Sequence, residues 1–262
     1  MQAPTFTRNK AALASHFQRD WVLFAYHLGD LDDFYFPHCR WLVWPAADDV
    51  KEALLIYRPP GENSPSTVMA FGLSEAMDEL LVAVRDQLPD RFFCHFQSHH
   101  RESLGSGFTL SPLGPHIKMR LDDLTRVNDD TFEQVVWLGG EDEGRIQCLM
   151  DRGYPDGYFS PHMLATGLYV GIEDGDKLVS LAGVHTHNTE QRIAVLGNIV
   201  THPDYRGRGF ATKVTYALSR RLAEQGLRVC LNVARDNQAA RACYRSLGFV
   251  HTHDYEEGEF YR

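Results

Sequence analysis

The sequence predicts an α/β (α+β) protein with a mixed central sheet flanked by helices, and three observations carry that expectation. Apolar residues alternate at Leu227, Val229, Leu231 and Val233, as in a strand with one face in a core. They recur at three- and four-residue spacing at Phe210, Ala211, Val214, Ala217, Leu218 and Leu222, as along one buried helix face. Between Asn198 and Phe249 such segments succeed one another as strand, glycine-punctuated turn, helix, strand and helix.

Toward the N-terminus, residues 41–44, 53–57 and 92–96 are rich in aromatic and aliphatic side chains and read as strands. Arg58, Pro59, Pro60, Gly61, Glu62, Asn63 and Ser64 form a turn-rich gap. Ser74 can cap a helix whose apolar stripe is Met77, Leu80, Leu81, Val84 and Leu88. Residues 104–115, rich in Gly, Ser and Pro, suit a connecting strand and turn better than a long flexible linker. Residues 121–138, capped by Asp122 or Asp123, and residues 142–150 read as two helices. Tyr158, Phe159, Met163 and Leu164 follow them, as pocket or core residues.

The stretch Asn198 to Ala211, NIVTHPDYRGRGFA, runs from a strand through a basic turn straight into a helical pattern. The first amides of a helix have no intrahelical partner, and with the helix dipole they favour a bound phosphate. Gly207 and Gly209 leave a ligand room to approach the main chain, and Gly226 ends the helix as a C′ residue. Asn232 then points away from the apolar face of the next strand. Asn237 reads as an N-cap, and Ala239, Ala240, Cys243, Tyr244 and Leu247 as the inward stripe of a short helix. Gly248 stops that helix and Phe249 covers its end.

These residues resemble the GNAT superfamily of acyl-coenzyme A N-acyltransferases, and within it the glycine N-acyltransferase-like branch. The family's cofactor turn is Arg or Gln, two variable positions, Gly, one variable position, then Gly or Ala; Arg206, Gly209 and Ala211 stand in that register. Its second signature, Asn, Ala, Tyr and a terminal Gly-Phe, is matched by Asn237, Ala240, Tyr244, Gly248 and Phe249. The resemblance covers residues 160–250, and the wording THPDYRGRGFAT, with Thr201 before the proline, carries the branch placement. It implies a GNAT fold, acetyl-coenzyme A as co-substrate, and direct transfer of an acetyl group to a primary amine of a small molecule or amino acid. A protein lysine or N-terminal acetyltransferase, or a non-catalytic coenzyme A sensor, would share the same cofactor residues.

By the same resemblance, Ile199, Val200 and Thr201 offer main-chain groups to the pantetheine arm. Gly207, Arg208, Gly209, Phe210, Ala211 and Thr212 surround the pyrophosphate, and Arg206 and Arg208 add charge. Asn232, Asn237 and Ala240 approach the lower part of the cofactor, a strand N–H near Ile199 or Val200 serves the oxyanion, and Tyr244 protonates the departing thiolate. Many relatives place a Glu on the strand before the turn, where this chain has Asn198, which cannot act as a base. Gly197 beside it suits a bulge or a close approach, and Asn198 is assigned to orienting substrate or water. The neighbouring strand offers His185 and His187 on one face, with an intrinsic pKa near neutrality, as candidates for proton transfer, and His185 joins Tyr244 and Asn198 among the catalytic candidates. His253, Glu256 and Glu257 are further candidates.

The chain has 262 residues and a formal net charge of −9. That length supports two domains: an N-terminal degenerate GNAT-like lobe over residues 1–118, and a catalytic GNAT domain over residues 119–262. The first lobe has no RGxG-type turn and is expected not to bind coenzyme A. The acidic balance leaves no footprint for nucleic acid and mildly favours an amine acceptor. No apolar run approaches a membrane span, and MQAPTFTRNK lacks the apolar core of a secretory signal. Cys39, Cys94, Cys148, Cys230 and Cys243 read as reduced thiols, so a cytoplasmic location is expected. No metal is expected, since no Cys or carboxylate stands at ligand spacing around His185/His187 or His251/His253. A homodimer is left open.

Overall fold

The computed structural model describes residues 4–46, 49–60, 65–105, 107–124 and 135–262. The chain divides into two compact units, Met1–Lys118 with Ala234–Asp236 and Thr252–Arg262, and Met119–Val233 with Asn237–His251.

The first unit runs β1 (Thr5–Thr7), α1 (Lys10–Phe17), α2 (Ala25–Gly29), β2 (Cys39–Ala46), β3 (Asp49–Tyr57), β4 (Ser66–Ala70), α3 (Ala76–Val84), β5 (Arg91–Phe96), α4 (Arg101–Gly105) and most of β6 (Thr109–Leu121). Strands β1 to β4 pair antiparallel in order, whereas β4 and β5 pair parallel, with α3 as the crossover. The stripe expected on α3 is what holds it there: Met77, Leu80, Leu81, Val84 and the following Leu88 are buried with Leu42, Leu54, Val68 and Phe92. The Ser74 hydroxyl accepts the Ala76 amide at 3.3 Å.

The second unit continues with β7 (Val136–Leu138), α5 (Glu143–Gly153), the 3-10 segment Pro161–Thr166, β8 (Tyr169–Asp174), β9 (Lys177–Asn188), β10 (Ile193–Thr201), α6 (Phe210–Glu224), β11 (Arg228–Ala234), α7 (Gln238–Ser246) and β12 (Phe249–Tyr261). Here β7 to β10 pair antiparallel in order, and β10 pairs parallel with β11 across α6. The two units therefore repeat one element order, each with antiparallel strands followed by a parallel pair across a helix. The last strand crosses between units: Glu256 to Tyr261 of β12 pair antiparallel with β5 and complete the first unit's sheet.

The helix expected over residues 121–138 is corrected at both ends. Leu121 closes β6, and Val136, Trp137 and Leu138 form β7, because a β-branched and aromatic run finds a strand partner in Tyr169, Val170 and Gly171. The Asp122 amide donates to the Gly248 carbonyl at 3.1 Å. The middle of that stretch, residues 125–134, and residues 61–64 of the turn-rich gap lie outside the described residues. In the stretch 104–115, Leu104 belongs to α4 and the strand begins at Thr109. The next helix starts at Glu143 and runs past Met150 to Gly153.

Candidate functional site

Strands β10 and β11 pair from Ile193 with Arg228 to Leu196 with Leu231, and the ladder stops there. Both strands continue, β10 to Thr201 and β11 to Ala234, so the edges of Ile199, Val200 and Thr201 face β11 without a ladder. The parting follows from a bulge against β9: Gly197 faces Gly183 and Val200 faces Leu181, leaving Asn198 and Ile199 together opposite Ala182. Asn198 takes the left-handed φ of 51° that the bulge requires. In the first unit the corresponding strands do not part, since β4 pairs with β5 from Ser66 to Ala70.

Beyond Thr201 a 3-10 turn, Pro203–Tyr205, leads into an extended Arg206 and then Gly207 and Gly209, both at φ 77°. Gly209 is the N-cap of α6 and supplies no side-chain cap. A Cβ built on either glycine meets nothing within 4 Å, so the turn is open on that side. The amides of Phe210, Ala211 and Thr212 have no acceptor within the helix by geometry. The two arginines brace this turn. Arg206 donates to the carbonyls of Gly153 (3.0 Å) and Thr201 (3.4 Å), while Arg208 donates to Asp204 O (3.2 Å) with its guanidinium 4.8 Å from the Tyr205 ring centre. Phe210 stacks on Tyr205 at 6.3 Å.

The turn before α3 in the first unit is filled instead by the chain's own groups. The buried Glu52 carboxylate accepts the Leu73 amide (3.1 and 3.2 Å) and the Ser74 hydroxyl (2.7 Å), and Gln97 Oε1 accepts the Gly72 amide (2.8 Å). His16 lies 3.9 Å from Glu52. Burial, aided by Arg19, lowers the His16 pKa to about 4, so this contact is not an ion pair near neutrality.

Helix α7 starts as its sequence suggests, with Asn237 Oδ1 accepting the Ala240 amide at 3.1 Å. Its expected inward stripe is only partly inward: Tyr244 and Leu247 are buried, Ala240 and Cys243 half-buried, and Ala239 exposed. Thr212 Oγ1 lies 3.2 Å from Cys243 Sγ, tying α6 to α7. Burial pushes the Cys243 thiol pKa up, against the Thr212 hydrogen bond, and burial likewise raises that of the Tyr244 phenol. Both groups are therefore protonated near neutrality. On β11 the Asn232 Nδ2 is buried without a hydrogen-bond partner among the described residues, a polar atom of the kind that needs one.

At the bulge, the structure brings His185 and Asn198 together. The His185 ring covers Gly197, where a Cβ would sit 2.2 Å from it, and His185 Nε2 lies 3.4 Å from Asn198 Oδ1. Asn198 Nδ2 donates to Tyr169 Oη at 2.9 Å and points at Met163 Sδ at 3.8 Å, while Tyr169 Oη donates to the same sulfur at 3.3 Å. Tyr169 went unrecognised in the sequence because an aromatic strand residue reads as core. The signal was Gly183, whose missing Cβ leaves the space, 2.3 Å away, that the Tyr169 ring fills. Of the residues after α5, Met163 and Leu164 are buried and Phe159 packs beside them, whereas Tyr158 is exposed.

The C-terminal candidates belong to the first unit. His253 lies 3.0 Å from Asp20, Glu256 pairs with Arg101, and Glu257 accepts the Tyr255 hydroxyl. Burial pushes the Glu257 pKa up, but His95 and His116 hold it below the usual range. Cys148 is exposed, Cys243 half-buried and the other three cysteines buried, all as free thiols. Among the described residues no cluster of three His, Cys, Asp or Glu side chains is placed to hold a metal, and no helix is long and apolar enough to cross a membrane.

Residues 133–249 match the profile of the acetyltransferase (GNAT) family. No curated protein sequence matches the chain. Among solved structures, a Drosophila protein aligns over 100% of this chain and 99% of its own, at 14% identity and TM-score 0.70. A GNAT-family acetyltransferase from Colwellia psychrerythraea aligns over 99% of both chains, at 13% identity and TM-score 0.57. A tandem GNAT protein from the clavulanic acid biosynthesis pathway aligns over 98% of this chain and 97% of its own, at 16% identity and TM-score 0.57. At these identities the likeness is one of fold.

Proposed function

We propose that this protein is an acetyl-coenzyme A-dependent N-acetyltransferase that acts on a primary amine of a small molecule or amino acid, of the kind used by glycine N-acyltransferase-like enzymes. The observation that carries the reading is the open turn at Gly207 and Gly209, at the mouth of α6 and beside two parted strands. Those residues suit the coenzyme: main-chain donors for a pyrophosphate, a strand edge for an amide-bearing arm, and a buried, unpartnered Asn232 Nδ2 facing away from the apolar side of β11. When bound, acetyl-coenzyme A supplies an acyl group already activated as a thioester.

The chain's own residues do the rest. The Ile199 and Val200 amides hold the arm and the charge that builds on the carbonyl oxygen. His185 removes one proton from the acceptor amine as the C–N bond forms, with Asn198 orienting its ring. Tyr244, protonated at neutral pH because it is buried, gives its proton to the thiolate as the C–S bond breaks. With the Cys243 thiol kept neutral by burial, direct transfer is favoured over an acyl-cysteine route. Most of the rate enhancement then comes from orienting amine and thioester.

In this reading the catalytic role falls to residues 119–262, and residues 1–118 form a lobe that binds no coenzyme. A cytoplasmic setting fits the free thiols, and a homodimer is compatible with this scheme. The test is a thiol-release screen of amines and amino acids with acetyl- and longer acyl donors. Turnover with a small amine supports the reading. Acetyl-lysine on a protein and no small-amine turnover would replace it with a protein acetyltransferase, and coenzyme binding with no turnover on either class with a sensor.

A further inference from the structure

The turn at the mouth of α6 is open, and its sequence gives it every reason to be loose. Gly207 and Gly209 flank Arg208 at left-handed φ, α6 has no side-chain cap, and glycine loses more backbone freedom on being fixed than any other residue. The first unit fixes its own turn by bonding the Leu73 and Gly72 amides to Glu52 and Gln97, which also fills it. A turn that stays open has to be held by side chains around it, and here they gather on the half-buried Tyr205. The Arg208 guanidinium lies over the Tyr205 ring at 4.8 Å and the Lys177 ammonium at 5.3 Å. Phe210, the first residue of α6, stacks on it at 6.3 Å, and His202 meets it edge-on at 5.7 Å. One ring thus packs with the residue between the two glycines and with the residue after the second. Its hydroxyl leaves the turn: Tyr205 Oη donates to Asp174 Oδ2 at 2.7 Å. That bond raises the Tyr205 pKa, so the phenol keeps its proton near neutrality. Asp174 ends β8 and Lys177 begins β9, so Tyr205 meets both strands of one hairpin, which Arg145 of α5 steadies by pairing with Glu173.

We infer that Tyr205 is a positioning residue for coenzyme binding: tied to the β8–β9 hairpin through Asp174, it holds Gly207, Arg208 and Gly209 in the shape that presents the amides of Phe210, Ala211 and Thr212 to a diphosphate. This rests on the coenzyme reading of the turn and deepens it. In this role the tyrosine need not touch the ligand. It orders the turn beforehand, so that binding does not have to bear the cost of immobilising the glycines and their neighbours. It also aims Arg208, whose guanidinium is held between the ring and the Asp204 carbonyl at the rim of the turn. The two units thus keep a glycine-bearing turn in shape by opposite means, one with an internal carboxylate that occupies the amides, the other with an aromatic ring that leaves them open.

Calorimetric titration of the full chain with coenzyme A, together with amide exchange of the unliganded protein, tests this. Tyr205→Phe keeps the ring and loses only the link to Asp174, so Kd is expected to rise about 3-fold, as for one net hydrogen bond. Tyr205→Ala leaves Arg208 and Phe210 to be ordered on binding, and Kd is expected to rise on the order of 10-fold. Without ligand, both variants should exchange faster at Gly207 to Thr212 while the amides of β9 and β11 exchange as in wild type, a pattern that general loss of stability would not give. Asp174→Asn, which still offers the phenol an acceptor, should keep the wild-type exchange rate at the turn. In Asp174→Ala the further change Tyr205→Phe should have no effect on Kd, since the two residues act as a unit. Equal affinity and equal turn exchange in wild type and Tyr205→Ala, or a full Tyr205→Phe effect in the Asp174→Ala background, would overturn the inference. If wild type binds no coenzyme A, the coenzyme reading fails, and the exchange rates still decide whether Tyr205 shapes the turn.

Discussion

The His185 imidazole rests on Gly197 across the β9–β10 ladder, so closely that any side chain at position 197 would occupy the space of the ring. The glycine that lets β10 bulge is thus the same residue that seats the histidine beside Asn198.

Gly197→Ala therefore forces the ring aside. The expected result is a loss of about 1–3 kcal/mol of stability from overpacking, and a kcat reduced on the order of 100-fold as a general base is displaced. Coenzyme affinity should stay within about 2-fold, because the turn at Gly207 and Gly209 is untouched. Urea unfolding, steady-state kinetics and calorimetric titration check the three parts, and an unaltered kcat would remove His185 from the chemistry.

Tyr244 and Cys243 are adjacent in sequence but opposite in expected effect. Tyr244→Phe should lower kcat on the order of 10- to 100-fold by deleting the proton donor, with little change in coenzyme affinity. Cys243→Ala should retain turnover within a few-fold, since the thiol is neutral and bonded to Thr212. The reverse pattern, a dead Cys243→Ala and an unaffected Tyr244→Phe, would point to an acyl-cysteine route.

One coenzyme per chain is expected. The first unit's turn holds a carboxylate from Glu52 and an amide from Gln97 where an incoming anion would need free N–H groups, and its strands do not part. Native mass spectrometry with acetyl-coenzyme A should show a single adduct per chain. Glu52→Ala, which leaves the Leu73 amide and Ser74 hydroxyl unpaired, should cost about 1–3 kcal/mol of stability. Two adducts per wild-type chain would contradict this.

Much of this was legible in the sequence for physical reasons. The Val214, Leu218 and Leu222 part of the α6 stripe, the α7 cap at Asn237 and the α3 stripe at Met77 to Val84 are local patterns that survive folding, whereas Phe210, Ala211 and Ala217 stay half-buried. The bulge was legible because Gly197 stands where a strand would otherwise want a side chain. What was not legible depends on distant partners. Leu121 and Val136 to Leu138 became strand ends because β-branched and aromatic residues found neighbouring strands, which helical spacing alone does not reveal. The stripe on α7 stayed half exposed, with Ala239 in solvent and Ala240 and Cys243 half-buried, which helical spacing alone does not reveal. The contacts of Tyr169 with Asn198, and of Glu52 with Leu73, join residues far apart in the chain, and a single sequence carries no sign of such pairings.

Acid should weaken the first unit through its buried histidines. His16 drops from 6.5 to about 4 on folding, and His27 moves the same way, both chiefly through burial. The unfolded chain therefore binds more protons, so this stability is complete above pH 6.5 and is lost as pH falls toward about 4, by about 3 kcal/mol for His16 alone. Glu52, raised by burial, acts with the opposite sign, stabilising as it protonates, and offsets part of the loss. Urea midpoints should decline across that interval and decline less in His16→Gln; equal slopes would contradict the assignment.

Hydrogen–deuterium exchange with and without acetyl-coenzyme A tests the central claim most directly. The amides from Gly207 to Thr212 should become protected when the coenzyme is added, and Gly209→Val, which strains a left-handed φ and fills the open turn, should abolish that protection. Protection absent from Gly207 to Thr212, or confined to the turn at Gly72 to Ser74, would contradict it.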